Sequence, residues 1–165
     1  MKRFAITGPE SSGKTTLASA LAEHYNAAWI PEFAREYLTL REGRYDVTDL
    51  DTIALEQFNR WKVHTENLVF CDTDMTVVKI WSEFKFGTCS PAIHSLFAQQ
   101  EFEHYFLCRP DMKWEDDPLR EHPEQREELF KIYLNELSGK NLPFTVLEGS
   151  LENRLSTCER IISGK

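Results

Sequence analysis

The sequence predicts an α/β fold in which a five-stranded, mostly parallel sheet is flanked by helices. Short apolar runs alternate with segments whose apolar residues recur every three or four positions, as they do when helices connect parallel strands. Residues 68–71 (LVFC) are apolar throughout, which is typical of a strand buried on both faces. A loop at residues 8–13, with glycine at both ends, joins the first strand to the first helix.

The predicted elements follow one another along the chain without a linker or repeat. Strands are predicted at residues 2–7, 27–30, 68–71, 102–108 and 143–147, and helices at 13–25, 32–41, 50–61, 124–137 and 151–162. Pro31 ends the second strand. We therefore expect residues 1–165 to form a single domain.

Residues 109–128 differ in composition from the rest of the chain. Twelve of these twenty residues are charged and three are prolines, so the segment is not a core element. Such a run is either a solvated loop that leads into a polar helix or a mobile flap over an active site. In the second case the lid covers about residues 109–123.

The composition excludes some classes of partner. The formal net charge is −8 and the pI is about 5.2, whereas binding to nucleic acid or to an anionic membrane needs a dense basic surface. No apolar run is long enough to span a bilayer, and the four cysteines are irregularly spaced. We expect a cytoplasmic protein with reduced thiols and with neither nucleic acid nor membrane as a partner.

Residues 8–15 (GPESSGKT) fit the P-loop pattern GxxxxGK[ST] in its required place between a strand and a helix. The glycines allow backbone N–H groups to face phosphate oxygens, and the helix N-terminus adds partial positive charge. Lys14 is expected to reach the β- and γ-phosphates of ATP, and the Thr15 hydroxyl to bind Mg²⁺. The alternative is a glycine turn that only caps a helix.

Two carboxylates follow the third predicted strand. Asp72 stands where the acidic Mg²⁺ ligand of a P-loop protein belongs, and Asp74 is two residues further on. Alternatively, both residues end the strand and cap the next helix. We predict Thr15 and Asp72 as metal ligands, and leave Asp74 open between substrate binding and capping.

A P-loop indicates NTP binding but does not define the reaction. A GTPase would carry an NKxD motif, which is absent, and a motor or AAA-type ATPase normally needs a longer chain. A small-molecule kinase suits this length and needs a lid that excludes water and carries an arginine. Arg109, Arg120 and Arg126 are candidates for that arginine.

The acceptor site is expected near the end of the second strand. A carboxylate there can orient or deprotonate an acceptor hydroxyl, and the candidates are Glu32 and its rival Asp74. Arg35 either neutralises the transferred phosphate or pairs with a surface acid. The aromatic residues that could stack on a flat ring, or else belong to the core, are Phe33, Tyr37 and Trp61.

The chain resembles the nicotinamide riboside kinase domain of the bacterial NadR-type NAD-biosynthesis family. The matching stretches are GPESSGKTTLA at 8–18, EFAREYL at 32–38, IALEQ at 53–57, FCDTD at 70–74, WEDDPLR at 114–120 and EGSLENR at 148–154. The resemblance implies transfer of phosphate from Mg-ATP to the 5′-hydroxyl of nicotinamide riboside. We do not expect it to extend to adenylyl transfer or DNA binding, because the sequence has no HxGH motif and no room for those domains.

The resemblance also implies roles for individual residues. Trp114, Asp117 and Arg120 would belong to the lid, and Gly149 and Arg154 to a loop that approaches adenine. The predicted catalytic residues are Lys14, Glu32, Asp74 and Arg120, and the acceptor-binding residues are Glu32, Phe33, Arg35, Tyr37, Trp61, Asp74 and Asp117. The predicted ATP-binding residues are Gly8, Glu10, Ser11, Ser12, Gly13, Lys14, Thr15, Thr16, Arg120, Gly149 and Arg154. Two alternatives are a kinase for another nucleoside or nucleotide and a non-catalytic ATP-dependent binding module.

Overall fold

The computed structural model describes residues 1–164, and its five strands form one parallel sheet. The strands lie in the order β2-β3-β1-β4-β5, which confirms the predicted sheet. Their bounds are β1 Lys2–Thr7, β2 Ala28–Ile30, β3 Leu68–Asp72, β4 His104–Cys108 and β5 Phe144–Leu147.

The helices include five that the sequence pattern predicts and two that it does not. The bounds are α1 Lys14–Tyr25, α2 Phe33–Leu40, α3 Val47–Val63, α4 Met75–Phe86, α5 Pro91–Gln99, α6 Arg126–Gly139 and α7 Leu151–Ser163. The unpredicted helices are α4 and α5. Their end signals are nevertheless present in the sequence, because Gly87 ends α4 in a left-handed conformation and the Ser90 side chain caps α5.

The sheet separates two helical layers. On one face, α1 and α7 pack against Phe4, Phe70 and Phe106. On the other face, α3 to α6 bury Cys71 and Tyr105. All four cysteines are free thiols, and no helix within residues 1–164 has the length and apolar character needed to cross a membrane.

The strand order creates a crevice at the carboxyl ends of β1 and β3. The connection from β1 leads to β2 on one side of the sheet, whereas the connection from β3 crosses to β4 on the other side. In open α/β sheets, ligands bind where successive connections diverge in this way. The loop after β1 and the residues after β3 therefore meet at one site.

Candidate active site

The loop between β1 and α1 has the geometry of an anion-binding site. Gly8 has φ +133°, and a Cβ there would lie 2.7 Å from the Cys108 carbonyl oxygen, so only glycine fits. Lys14 is the first residue of α1, and its Nζ donates to the Pro9 carbonyl at 2.9 Å. The first N–H groups of α1 have no partner inside the helix and suit a phosphate.

A cleft extends from this loop toward α2, α4 and the segment before α6. It brings together most of the residues predicted from the sequence. The predicted residues that line it are Gly8, Glu10, Ser11, Ser12, Gly13, Lys14, Thr15, Thr16, Glu32, Arg35 and Arg120.

Asp72 ends β3 and pairs with Ile6 of β1, which places it beside the P-loop. It is 1% exposed, and its Oδ1 atom has no hydrogen-bond partner within residues 1–164. Burial raises the pKa of Asp72, while a hydrogen bond from Thr15 and the charges of Lys14 and Arg35 lower it. A hydroxyl beside a buried carboxylate with an unpaired oxygen fits a hard cation such as Mg²⁺.

Glu32 stands at the N-cap position of α2, but its side chain does not cap the helix and instead lines the cleft. Burial raises the pKa of Glu32, and the charges of Asp72 and Glu10 add to this effect. Lys14 and Arg35 act in the opposite direction. The structure thus places a carboxylate of raised basicity in the same cleft as the P-loop.

Asp74, the rival of Glu32, is a buried helix cap that does not line the cleft. Its Oδ1 accepts from the Thr7 hydroxyl at 2.7 Å, and its Oδ2 accepts from the Thr76 backbone N–H at 3.1 Å and from the Thr76 hydroxyl. The Gln100 side chain donates to Oδ2 at 3.4 Å. Of the two alternatives left open for Asp74, the structure supports capping.

The three aromatic residues predicted near the acceptor lie outside the cleft lining. Trp61 is 2% exposed in the core between α3 and α5. The Tyr37 hydroxyl donates to Asp49 on α3 at 2.6 Å, and the Phe33 ring lies 4.4 Å from the Arg60 guanidinium. The prediction that they stack on a substrate ring is therefore not supported.

The lid, residues 109–123, lies directly on the P-loop. The Glu115 backbone N–H donates to Ser11 Oγ at 3.1 Å, and Arg120 reaches the same oxygen at 3.4 Å. Asp117 pairs with Arg35 at 2.8 Å and does not itself line the cleft. These contacts place the charged segment against the P-loop, and its role as a flap stays a prediction.

Trp114 packs with arginines that take part in these contacts. Its ring is 5.9 Å from the Arg120 guanidinium and 5.6 Å from that of Arg126. Arg126 in turn donates to the Ser11 carbonyl at 3.0 Å. The tryptophan therefore packs with two arginines that contact the P-loop.

Arg154 is buried against the P-loop. It is 2% exposed, and it donates to the carbonyls of Ser12 at 2.5 Å, Gly149 at 3.1 Å and Arg109 at 2.9 Å. It also forms an ion pair with Asp111. Gly149 does not line the cleft either. The structure thus shows Arg154 bracing the P-loop, and the contact with adenine that the resemblance implies stays a prediction.

Sequence reasoning missed an apolar wall at the acceptor end of the cleft. Part of this wall is one face of α4, where residues at positions i, i+3, i+4 and i+7 face the cleft. That spacing was the available signal. The wall residues are Leu38, Val77, Ile80, Trp81, Phe84, Leu119, Leu129 and Tyr133.

Comparison with protein-family models shows which family the chain belongs to. A family model described as AAA domain matches residues 3–154. The chain belongs to this family. Chain length therefore does not separate it from AAA-type proteins, contrary to our expectation from the sequence.

The relatives confirm the resemblance to NadR proteins. The trifunctional NAD biosynthesis/regulator protein NadR of Escherichia coli (strain K12) is 28% identical over 172 residues, which cover 98% of this chain and 42% of that protein. The chain thus spans less than half the length of the curated relatives it matches.

Solved structures confirm the predicted P-loop fold of the nucleoside-kinase type. A NadR protein in complex with NR has a TM-score of 0.86 and 22% identity, covering 99% of this chain and 52% of that one. Deoxyadenosine kinase from M. mycoides, with products dCMP and a flexible dCDP bound, has a TM-score of 0.72 and 12% identity. That match covers 99% of this chain and 100% of the kinase.

Proposed function

We propose that this protein transfers the γ-phosphate of ATP to the 5′-hydroxyl of nicotinamide riboside, giving nicotinamide mononucleotide. The observation that carries the proposal is the shared cleft, which has a P-loop at one end and the Glu32 carboxylate beside an apolar aromatic wall at the other. This arrangement suits a nucleotide donor and a ring-bearing alcohol acceptor. The homology to NadR supports the choice of riboside.

The donor end of the cleft would act by positioning and by charge. Loop N–H groups and Lys14 would hold the β- and γ-phosphates, and Arg120 would approach from the lid. Thr15 and Asp72 would hold Mg²⁺, which supplies positive charge to the phosphate oxygens when bound. The lid contacts at Ser11 would exclude water, so that ATP is not hydrolysed in place of the acceptor.

The acceptor end favours a flat cation over a neutral ring. Trp81 and Phe84 line the cleft with aromatic surface, and Glu32 adds a carboxylate to the same lining. The nicotinamide ring of the riboside is a pyridinium cation, which aromatic faces and carboxylates attract. Glu32 would orient the 5′-hydroxyl by accepting a hydrogen bond from it.

Acceptor specificity is tested by coupled ADP release with a panel of ribosides. We expect a kcat/KM for nicotinamide riboside about tenfold or more above those of adenosine, deoxyadenosine and uridine, from one favourable cation–π or ionic contact of about 1.4 kcal/mol. Preference for a neutral nucleoside would make the protein a different kinase. Thermal stabilisation by ATP without turnover of any acceptor would make it a binding module.

Two matched pairs of variants test the assigned roles. Lys14→Ala should abolish turnover, whereas Lys131→Ala, on the exposed surface of α6, should leave it unchanged. Glu32→Gln should lower kcat by roughly 10² or more. Glu36→Gln, one turn further along α2 and exposed, should retain wild-type kcat. Equal effects of the two glutamate variants would exclude Glu32 from the reaction.

A further inference from the structure

Tyr45 lies behind the acceptor end of the cleft, in the loop between α2 and α3. It does not line the cleft, but it packs edge-on against Trp81, which does. The two ring centroids are 5.0 Å apart and the planes are inclined by 65°. Tyr45 is therefore placed to fix the orientation of the indole that faces the acceptor.

The Tyr45 hydroxyl uses all of its hydrogen-bonding capacity. It accepts from Trp81 Nε1 at 2.8 Å and from Lys85 Nζ at 2.6 Å, and it donates to Glu121 Oε2 at 2.7 Å. A hydroxyl has one proton and two lone pairs, so the site is saturated. Burial and the hydrogen bond to Glu121 raise the pKa of Tyr45, which keeps it a neutral donor.

Glu121 continues this network into the lid and onto the P-loop. Its backbone N–H donates to the two carboxylate oxygens of Glu10 at 3.2 and 3.1 Å, and the backbone N–H of His122 donates to Oε2 of Glu10 at 3.0 Å. Although burial raises the pKa of Glu121, hydrogen bonds from Lys85 and Tyr45 lower it overall, so the carboxylate stays charged. The side chain of Glu121 is thus fixed at the acceptor wall and its backbone at the nucleotide loop.

We propose that Tyr45 is a positioning residue that couples the acceptor wall to closure of the lid, an inference that rests on the proposed kinase function. The indole N–H of Trp81 already reaches Tyr45, and an acceptor ring packed on Trp81 would further restrict the indole to that position. Tyr45 then holds Glu121 where the lid backbone meets Glu10. We call this chain of contacts, from Trp81 through Tyr45 and Glu121 to Glu10, the relay. It keeps the lid shut against water and so favours phosphate transfer to the acceptor over hydrolysis of ATP.

Tyr45→Phe tests the relay with little disturbance of packing, because the ring remains and Lys85 still pairs with Glu121 at 2.5 Å. We expect the KM for the acceptor to rise about tenfold, as for loss of one strong hydrogen bond. The KM for ATP should stay within about twofold, and ATP hydrolysis without acceptor should rise several-fold. Tyr25→Phe, at the end of α1 against Phe70, is the control and should change none of these quantities.

A second background separates the relay from a merely structural role. If Tyr45 acts through the indole N–H, adding Tyr45→Phe to the Trp81→Phe variant should have no further effect on the acceptor KM. A structural role would instead lower the melting temperature in both backgrounds and leave the ratio of hydrolysis to transfer unchanged, which overturns the proposal.

Failure of the proposed function gives a different result from failure of the relay. Hydrolysis of ATP without acceptor needs no riboside, so it reports on lid closure even if nicotinamide riboside is not a substrate. In that case a several-fold increase in Tyr45→Phe supports the relay. A rate of ATP hydrolysis in Tyr45→Phe equal to that of the wild-type protein overturns it.

Discussion

Arg154→Met should destabilise the protein before any nucleotide binds. The side chain is 2% exposed, and its guanidinium ties the P-loop carbonyl of Ser12 to Gly149, Arg109 and Asp111. Breaking a buried ion pair costs about 3–5 kcal/mol, and the lower end applies here because the Asp111 side chain is 26% exposed. At about 2–4 °C per kcal/mol for a chain of this size, the melting temperature should fall by roughly 6–12 °C.

Thermal unfolding of the ligand-free protein measures this effect directly. The matched control is Arg160→Met, an exposed arginine on the same helix, whose melting temperature should stay within about 2 °C of wild type. If Arg154 instead served mainly to contact adenine, its loss would raise the KM for ATP and leave ligand-free stability intact. A ligand-free shift below about 2 °C would therefore refute the bracing role.

Two further predictions concern the carboxylates of the site. Because the pKa of Glu32 is raised above its ordinary value of 4.5, the folded protein binds more protons than the unfolded chain above that pH. The protonated Glu32 carboxyl therefore stabilises the fold fully below about pH 4.5, and this stabilisation is lost as the pH rises through the folded pKa. Glu32→Gln should consequently be more stable than wild type at pH 7. Its free energy of unfolding in urea should also change less than that of wild type between pH 4 and 8. Asp74→Ala should lose about 3 kcal/mol in the same assay, because it removes a helix cap and leaves buried donors on Thr7 and Thr76 without their acceptor. Asp74→Asn should lose less, and complete loss of turnover in a fully stable Asp74→Asn would return Asp74 to the reaction.

Local sequence patterns were sufficient to predict the sheet and the P-loop. A buried parallel strand is a short apolar run, and the P-loop is a contiguous motif whose glycines meet a backbone requirement of the turn itself, as at Gly8. Asp72 followed from its position at the end of such a run. These features depend on neighbours in sequence, and the structure places them together as expected.

The acceptor wall depended on packing that local patterns do not contain. Phe33, Tyr37 and Trp61 are as aromatic as Trp81 and Phe84, and only the tertiary arrangement puts the second group in the cleft. Helix α4 was missed although its cleft-facing apolar residues have helical spacing, because every residue from Met75 to Ile80 is buried and no clear polar face sets that spacing off. The function of Arg154 rests on a contact with Ser12, 142 positions away in sequence.

The negative charge of the lid does not oppose a phosphate site, because basic residues of the body hold several of its carboxylates. Asp117 pairs with Arg35 and Glu121 pairs with Lys85, both outside the lid itself. These pairs are partly exposed, so each contributes little to stability, but together they fix where the lid docks. With the lid docked in this way, the Arg120 guanidinium contacts the P-loop residue Ser11. The acidic composition of the lid is thus compatible with anion binding, since Asp117 and Glu121 attach the lid to the body and, in the proposed function, Arg120 would bring positive charge to the nucleotide.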